Sequence, residues 1–161
     1  MSDNFVDADP ATDSQPLPGS PSVGLDLGSI ARSPFIDAMG IVFLEASPEL
    51  LVATMPVEGH TQPIGLLHGG ASCVLAETVA SVGATLHGSR FGKFAVGVDI
   101  NATHHRGVSS GLVTATARAL QLGGSVASYE IVIVDDAGQR VCTARLTCLL
   151  RNLPAEAKPA P

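Results

Sequence analysis

Residues Gly65 to Gly88 read GLLHGGASCVLAETVASVGATLHG, a run with one charged residue, Glu77. Ala71, Cys73, Val74, Leu75, Ala76, Val79, Ala80, Val82, Ala84 and Leu86 put apolar groups on every face of a helix, the pattern of one buried on most sides. The small residues from His68 to Ala71 open it, leaving backbone N–H groups free to meet a carbonyl or an anion. Glycine permits close approach there, and Gly88 is a natural stop. A helix of about 20 residues is long enough for a membrane span. Glu77, His87, the glycines and the hydroxyls instead predict a soluble core helix with no membrane partner. A lone carboxylate in such a helix is costly without a partner or a task, and no Lys or Arg lies between Gly59 and Ser89. A solvent-facing gap or an arginine from a strand would account for it. So would a reaction platform.

Working outward, Ser33-Pro34-Phe35-Ile36-Asp37-Ala38-Met39-Gly40 reads as a short helix, with Ser33 as cap, Pro34 in the first turn and Gly40 as stop. Two extended runs, 41–46 and 49–57, are joined by Ser47-Pro48 as a hairpin, and a polar loop, 58–64, leads to the central helix. Beyond the helix the period becomes two, and strands are predicted over 94–105, 111–122, 125–134 and 140–151. Turn residues separate them at Arg106 to Gly111, Gly123-Gly124 and Asp135 to Gly138. Short turns imply antiparallel neighbours. The expected fold is α+β, a curved antiparallel sheet wrapped around one long central helix. Such a sheet leaves the helix partly uncovered and its edges open, so a second copy is the expected cover.

The chain of 161 residues suits one domain, expected over 26–153, between an acidic Pro/Ser/Gly tail at 1–25 and a second tail at 154–161. Five aspartates precede the first basic residue, Arg32, so the formal charge of -6 mostly reflects the tail. From Arg32 onward 9 basic face 10 acidic residues, which excludes the basic stripe of a nucleic-acid binder. Cys73, Cys142 and Cys148 form no Cys-x-x-Cys pair and no secretory signal is seen, which predicts a reducing, cytoplasmic setting with buried thiols.

The ordered set ATMPV at 53–57, Gln62-Pro63, GLLHGGAS at 65–72, VLAE at 74–77, INA at 100–102, His104, Arg106, Leu122-Gly123, Asp135, Gly138 and Arg-Leu-Thr at 145–147 resembles the hotdog-fold acyl-CoA thioesterases with a catalytic Glu in the central helix. The chain looks most like the 1,4-dihydroxy-2-naphthoyl-CoA hydrolases and is similar also to the 4-hydroxybenzoyl-CoA and phenylacetyl-CoA thioesterases. The resemblance implies hydrolysis of an acyl-CoA ester with an aromatic or bulky acyl group. No cofactor or metal is implied, since coenzyme A belongs to the substrate.

Residue by residue, the resemblance makes Glu77 the nucleophile or general base and lets the Gly69 N–H polarise the carbonyl. Gln62 and His68 hold the thioester, and Ser81 orients Glu77 or water. Gly97, His104, His105, Arg106, Gly107, Gln121, Leu122, Gly123, Gly124, Ser125 and Val126 line the coenzyme A or acyl groove. The expected assembly is a homodimer at least, with a dimer of dimers as its further pairing, which the sequence does not separate from the dimer. One departure stands out. Close relatives carry Gly-Ser-Arg after the strand-end Leu, whereas this chain has Gly123-Gly124-Ser125, so a phosphate-gripping arginine is missing; Arg90 and Lys93 are alternative anchors that the sequence does not separate.

Thioester hydrolysis needs a donor for the charge growing on the carbonyl oxygen and a base or nucleophile beside the carbon. Glu77 follows His68 by nine residues, roughly 13 Å along a helix and on its opposite side. The expectation is a composite site, Glu77 of one subunit facing Gln62, His68 and Gly69 of the other, with Ser81 one turn beyond Glu77 on the same face and Thr78 pointing elsewhere.

Other signals carry less. Gly107-Val108-Ser109-Ser110-Gly111 matches the nucleophile elbow of α/β-hydrolases, but it lies between strands with no later His. His104 and His105 are expected on opposite strand faces, His87 as a C-terminal helix cation or cap, and Arg106 as either a surface cation or a phosphate ligand. A non-catalytic acyl-CoA-binding module and a hotdog dehydratase are the alternative functions.

Overall fold

The computed structural model describes residues 33–152; both expected tails lie outside them. Helix α1 spans Pro34–Ala38, and the Ser33 hydroxyl accepts from the Ile36 N–H at 3.2 Å, the cap that the sequence predicts. Strands β1 (Val42–Ala46) and β2 (Leu50–Pro56) form the hairpin, closed by the Ser47 hydroxyl bonded to both backbone groups of Leu50. Helix α2 spans Gly69–Ser89, and β3 (Lys93–His104), β4 (Leu112–Leu122), β5 (Val126–Asp135) and β6 (Arg140–Asn152) follow.

All six strands join one sheet in the order β1-β2-β4-β5-β6-β3, and every pair is antiparallel. The α+β expectation of a sheet around one helix is therefore the observed architecture. Register shifts at Phe43/Glu45, Gly97/Asp99, Ala119/Gln121 and Ile133/Val134 add the local bends by which such a sheet curves. After α2 the chain crosses to the far edge, so among the described residues the 12-residue β3 pairs only with β6 and its outer edge has no partner strand.

Period-two patterning sends Leu51, Ala53 and Met55 of β2, Val113, Ala115 and Ala117 of β4, and Tyr129, Ile131 and Ile133 of β5 inward with no exposure. They meet Leu75, Ala76, Val79, Ala80 and Ala84 of α2, which are equally buried. Each large side chain covered this way contributes about 1.5–3 kcal/mol. Small residues let the helix lie close. A Cβ at Gly83 would collide with Leu51 and the Tyr129 hydroxyl, and that hydroxyl donates to the Pro48 carbonyl at 2.7 Å. Burial pushes the Tyr129 phenol up from its ordinary value.

One boundary changes. Gly65 to Leu67 are not helical: Gly65 has φ +78, and an isolated bridge ties Thr61 to Leu67, so the helix starts at Gly69. As expected α2 is buried on most sides, but in the single chain Val74, Glu77, Thr78, Ser81 and Thr85 form a stripe that the sheet does not cover. Its composition hid this: alanines and hydroxyls give little contrast between faces. His87 stands in the last turn of α2, as expected, and is buried there. It is 7% exposed, its Nε2 lies 3.0 Å from the Gly123 carbonyl, and its ring meets Phe91 edge-on at 5.4 Å, so it braces the helix end against the β4–β5 turn.

Candidate active site

Glu77 lies at the middle of α2, on the open stripe, where the carboxylate reaches the backbone of β3. Its Oε1 is 3.2 Å from where a Cβ would stand on Gly97. Gly97 is directly opposite Cys148 across the β3–β6 ladder. Any side chain at 97 would enter the space that the carboxylate fills, and glycine leaves it open. The register shift immediately after Gly97 leaves Val98 as the extra residue on an otherwise regular edge.

Cys148 is wholly buried beneath this point. Burial pushes its thiol up; a hydrogen bond from Ser81 opposes that and the nearby charge of Glu77 adds to it. Ser81, Cys148 and Glu77 thus occupy one neighbourhood, and Cys148, buried in the core as expected, is also a neighbour of the site. No local motif could reveal it. The signal is register, Cys148 opposite Gly97, available only once β3 and β6 are paired.

Glu77 and Ser81 line one side of an open cavity of about 450 Å³. Thr78 lines the same cavity, contrary to the expectation that it points elsewhere. Residues one, three and four positions apart all border a cavity this broad, because it spans the whole uncovered stripe. Phe35 and Ile36 of α1 supply the facing apolar surface.

The helix start forms a second, separate recess of about 420 Å³, lined by Gln62, Gly69, Ser72, His104, Arg106 and Gly107 among others. His68 is the N-cap of α2, and its Nδ1 accepts from the Gly70 N–H at 2.8 Å. The backbone carbonyl of His68 accepts from Ala71 and Ser72. The Gly69 N–H meets no acceptor among the described residues, so it is a donor held ready at a helix N-terminus. His104 packs so closely on Gly69 that a Cβ there would stand 2.9 Å from its Nε2. His105 borders the same recess, with Nε2 3.0 Å from the Thr143 hydroxyl. β3 ends at His104, so His105 begins the loop that follows.

The remaining expected groove residues lie elsewhere in the chain's fold. Gln121 and Leu122 end β4, and Gly123, Gly124 and Ser125 form the turn into Val126 of β5. That turn is tied to the C-terminal end of α2: His87 holds the Gly123 carbonyl, the Lys93 Nζ donates to the Gly124 carbonyl, and Leu150 donates to Ser125 at 2.9 Å. The segment from His104 to Gly107 borders the N-terminal end of the same 21-residue helix. At 1.5 Å per residue these ends are about 30 Å apart. One chain therefore brings Glu77, Ser81 and Gly97 together, and separately Gln62, Gly69 and the 104–107 segment, while the β4–β5 turn stands apart from both.

Arg90 lies 3.7 Å from Glu49 in an exposed ion pair, and the Arg106 Nη2 donates to the Gln139 side chain at 3.3 Å. The Gly-x-Ser-x-Gly match at 107–111 is a loop between β3 and β4 beside Asp135 and Asp136, with no helix to form a nucleophile elbow. Among the described residues no cluster of three or more His, Cys, Asp or Glu could hold a metal ion.

A model of the thioesterase superfamily matches residues 64–142, the stretch from the loop before α2 to the start of β6. The proofreading thioesterase EntH of Cronobacter sakazakii is 45% identical over 122 residues, covering 75% of this chain and 88% of the relative. Its namesake from Klebsiella pneumoniae is 46% identical over 121 residues, covering 74% and 88%. Among solved structures, a mutant of thioesterase PA1618 from Pseudomonas aeruginosa superposes with a TM-score of 0.74 at 40% identity, covering 80% of this chain and 95% of that one. Thioesterase HI1161 from Haemophilus influenzae gives 0.73 at 36% identity, covering 82% and 92%.

Proposed function

Because this chain belongs to the thioesterase superfamily, a thioester hydrolase with the hotdog fold, we propose that it cleaves an acyl-CoA ester with an aromatic or otherwise bulky acyl group, as the 1,4-dihydroxy-2-naphthoyl-CoA and 4-hydroxybenzoyl-CoA enzymes do. Glu77 attacks the carbonyl carbon or takes a proton from the water that does, and the Gly69 N–H stabilises the developing oxyanion. Water enters, the C–S bond breaks, and free acid and coenzyme A leave.

One observation carries this reading. The carboxylate of Glu77 and the unpaired Gly69 N–H are the two groups the chemistry needs, and in one chain they open into separate cavities. A second copy joins them. The unpaired outer edge of β3, with Val96 43% and Val98 53% exposed, is the surface through which it would add. The active unit is then a homodimer with two composite sites, Gln62 and His68 of one subunit holding the thioester against Glu77 and Ser81 of its partner. Dimers pair further into tetramers. The groove residues 104–107 and 121–126, at opposite ends of α2 in one chain, are likewise contributed by different subunits. Three free thiols suit a reducing cytoplasm.

The test is thiol release from a panel of aryl and alkyl acyl-CoA esters by the wild type and by Glu77→Gln. The wild type should prefer aryl esters and the variant should lose about a hundredfold or more of kcat. Equal release by both removes Glu77 from the mechanism. Tight binding of the esters without any turnover points to the acyl-CoA-binding module instead.

A further inference from the structure

Aromatic side chains are scarce in this chain, five Phe and one Tyr. Two of them have partners inside the fold. Tyr129 is fully buried and bonded to Pro48, and Phe91 packs on His87 at the C-terminal end of α2. Phe35 differs in place: like Phe91 it is more than half exposed, but it belongs to α1 rather than to the sheet and central helix, and among the described residues it is the one aromatic group lining the cavity that holds Glu77.

Its position is fixed by its neighbours. Ser33 caps α1, Pro34 sets the first turn, and Ile36, 8% exposed, anchors the helix in the core. Gly40, at φ +60, ends the segment. The ring presents a flat apolar face to the cavity of the Glu77 carboxylate, a surface suited to an apolar, flat ligand. The other cavity residues besides Ile36, Val74 and Val82 are polar: Ser33, Thr78, Ser81 and Thr85 carry hydroxyls.

We propose that Phe35 determines acyl specificity: its ring is the platform on which a planar aryl group of the thioester rests, placing the carbonyl beside Glu77. This rests on the catalytic reading of the cavity given above. An aromatic pair adds about 0.5–1.5 kcal/mol beyond buried area, so the effect of removing the ring is about three- to tenfold in preference. A linear acyl chain gains nothing from ring stacking and loses only contact area.

The experiment compares wild type, Phe35→Ala and Phe35→Leu on benzoyl-CoA and hexanoyl-CoA, and also measures binding of the hydrolysis-inert thioethers benzyl-CoA and hexyl-CoA. Ile36, not Phe35, anchors α1, so the variants should keep the wild-type melting temperature. In Phe35→Ala the benzoyl-to-hexanoyl ratio of kcat/KM should fall about three- to tenfold, with the same fall in the benzyl-to-hexyl binding ratio, and Phe35→Leu should fall as far although it restores bulk. Unchanged ratios in both assays overturn the proposal. A fall in the binding ratio by a protein that releases no thiol keeps Phe35 as the selector and overturns the catalytic reading instead.

Discussion

Replacing Gly97 by alanine should separate activity from stability. Gly97 has no positive φ, so the backbone accepts an L side chain, and an alanine within a strand is favoured over glycine by roughly 0.5–1 kcal/mol. The added Cβ, however, stands 3.2 Å from the Glu77 Oε1 and 3.9 Å from the Leu146 Cδ1. The second is an ordinary contact; the first is too close by a few tenths of an ångström. The carboxylate has open space on its cavity side and will move there rather than push β3. A misplacement of 1 Å can cost about a hundredfold in rate, so a shift of a few tenths should cost about three- to sixfold, or ~0.7–1 kcal/mol in the barrier. Thermal melting and thiol release on the same preparations are the measurements. A melting temperature equal to or slightly above wild type with kcat about three- to sixfold lower is expected, and Gly97→Val should lose more. Full activity in Gly97→Ala would show that the carboxylate does not work from its position against β3. A matching loss of melting temperature and activity would mean that glycine serves the strand, not the site.

If the site is shared between subunits, mixing two crippled chains restores it. Glu77→Gln and Gln62→Ala, each deficient alone, should recover about a quarter of wild-type activity when refolded together, since half of the dimers are mixed and each mixed dimer holds one intact site. Recovery no greater than the sum of the parents refutes the composite arrangement. The buried thiols make a pH prediction. Burial pushes Cys142 up from 9.0 to about 11, with Cys73 adding to the shift, so the unfolded chain releases this proton before the native one does. A raised native pKa means stability that is whole below pH 9 and is lost as the pH rises through 11. That loss is about 2–3 kcal/mol, at ~1.4 kcal/mol per pH unit. Melting temperature measured from pH 8 to 11 should fall more steeply in wild type than in Cys142→Ala; parallel curves would show that this thiol does not drive the alkaline loss.

The sequence by itself determined the elements, because their signals are local. The period-two alternation of β4 and β5, the Ser33-Pro34 cap and the turn glycines depend on neighbours a few residues apart. Glu77 was also legible, since one charge in an apolar run is conspicuous in any order of folding. Which face of α2 stays uncovered was not, because alanine, glycine and hydroxyl side chains are nearly equal in hydrophobicity and give the helix little direction. The tertiary structure decided that, and with it the shared cavity of Thr78, Ser81 and Phe35, the bracing of the β4–β5 turn by His87, and the meeting of Glu77 with Gly97 and Cys148. Those contacts join positions far apart in the chain through strand order and register, which depend on how β3 crosses to the sheet's far edge to cover the helix, and no local pattern encodes that crossing.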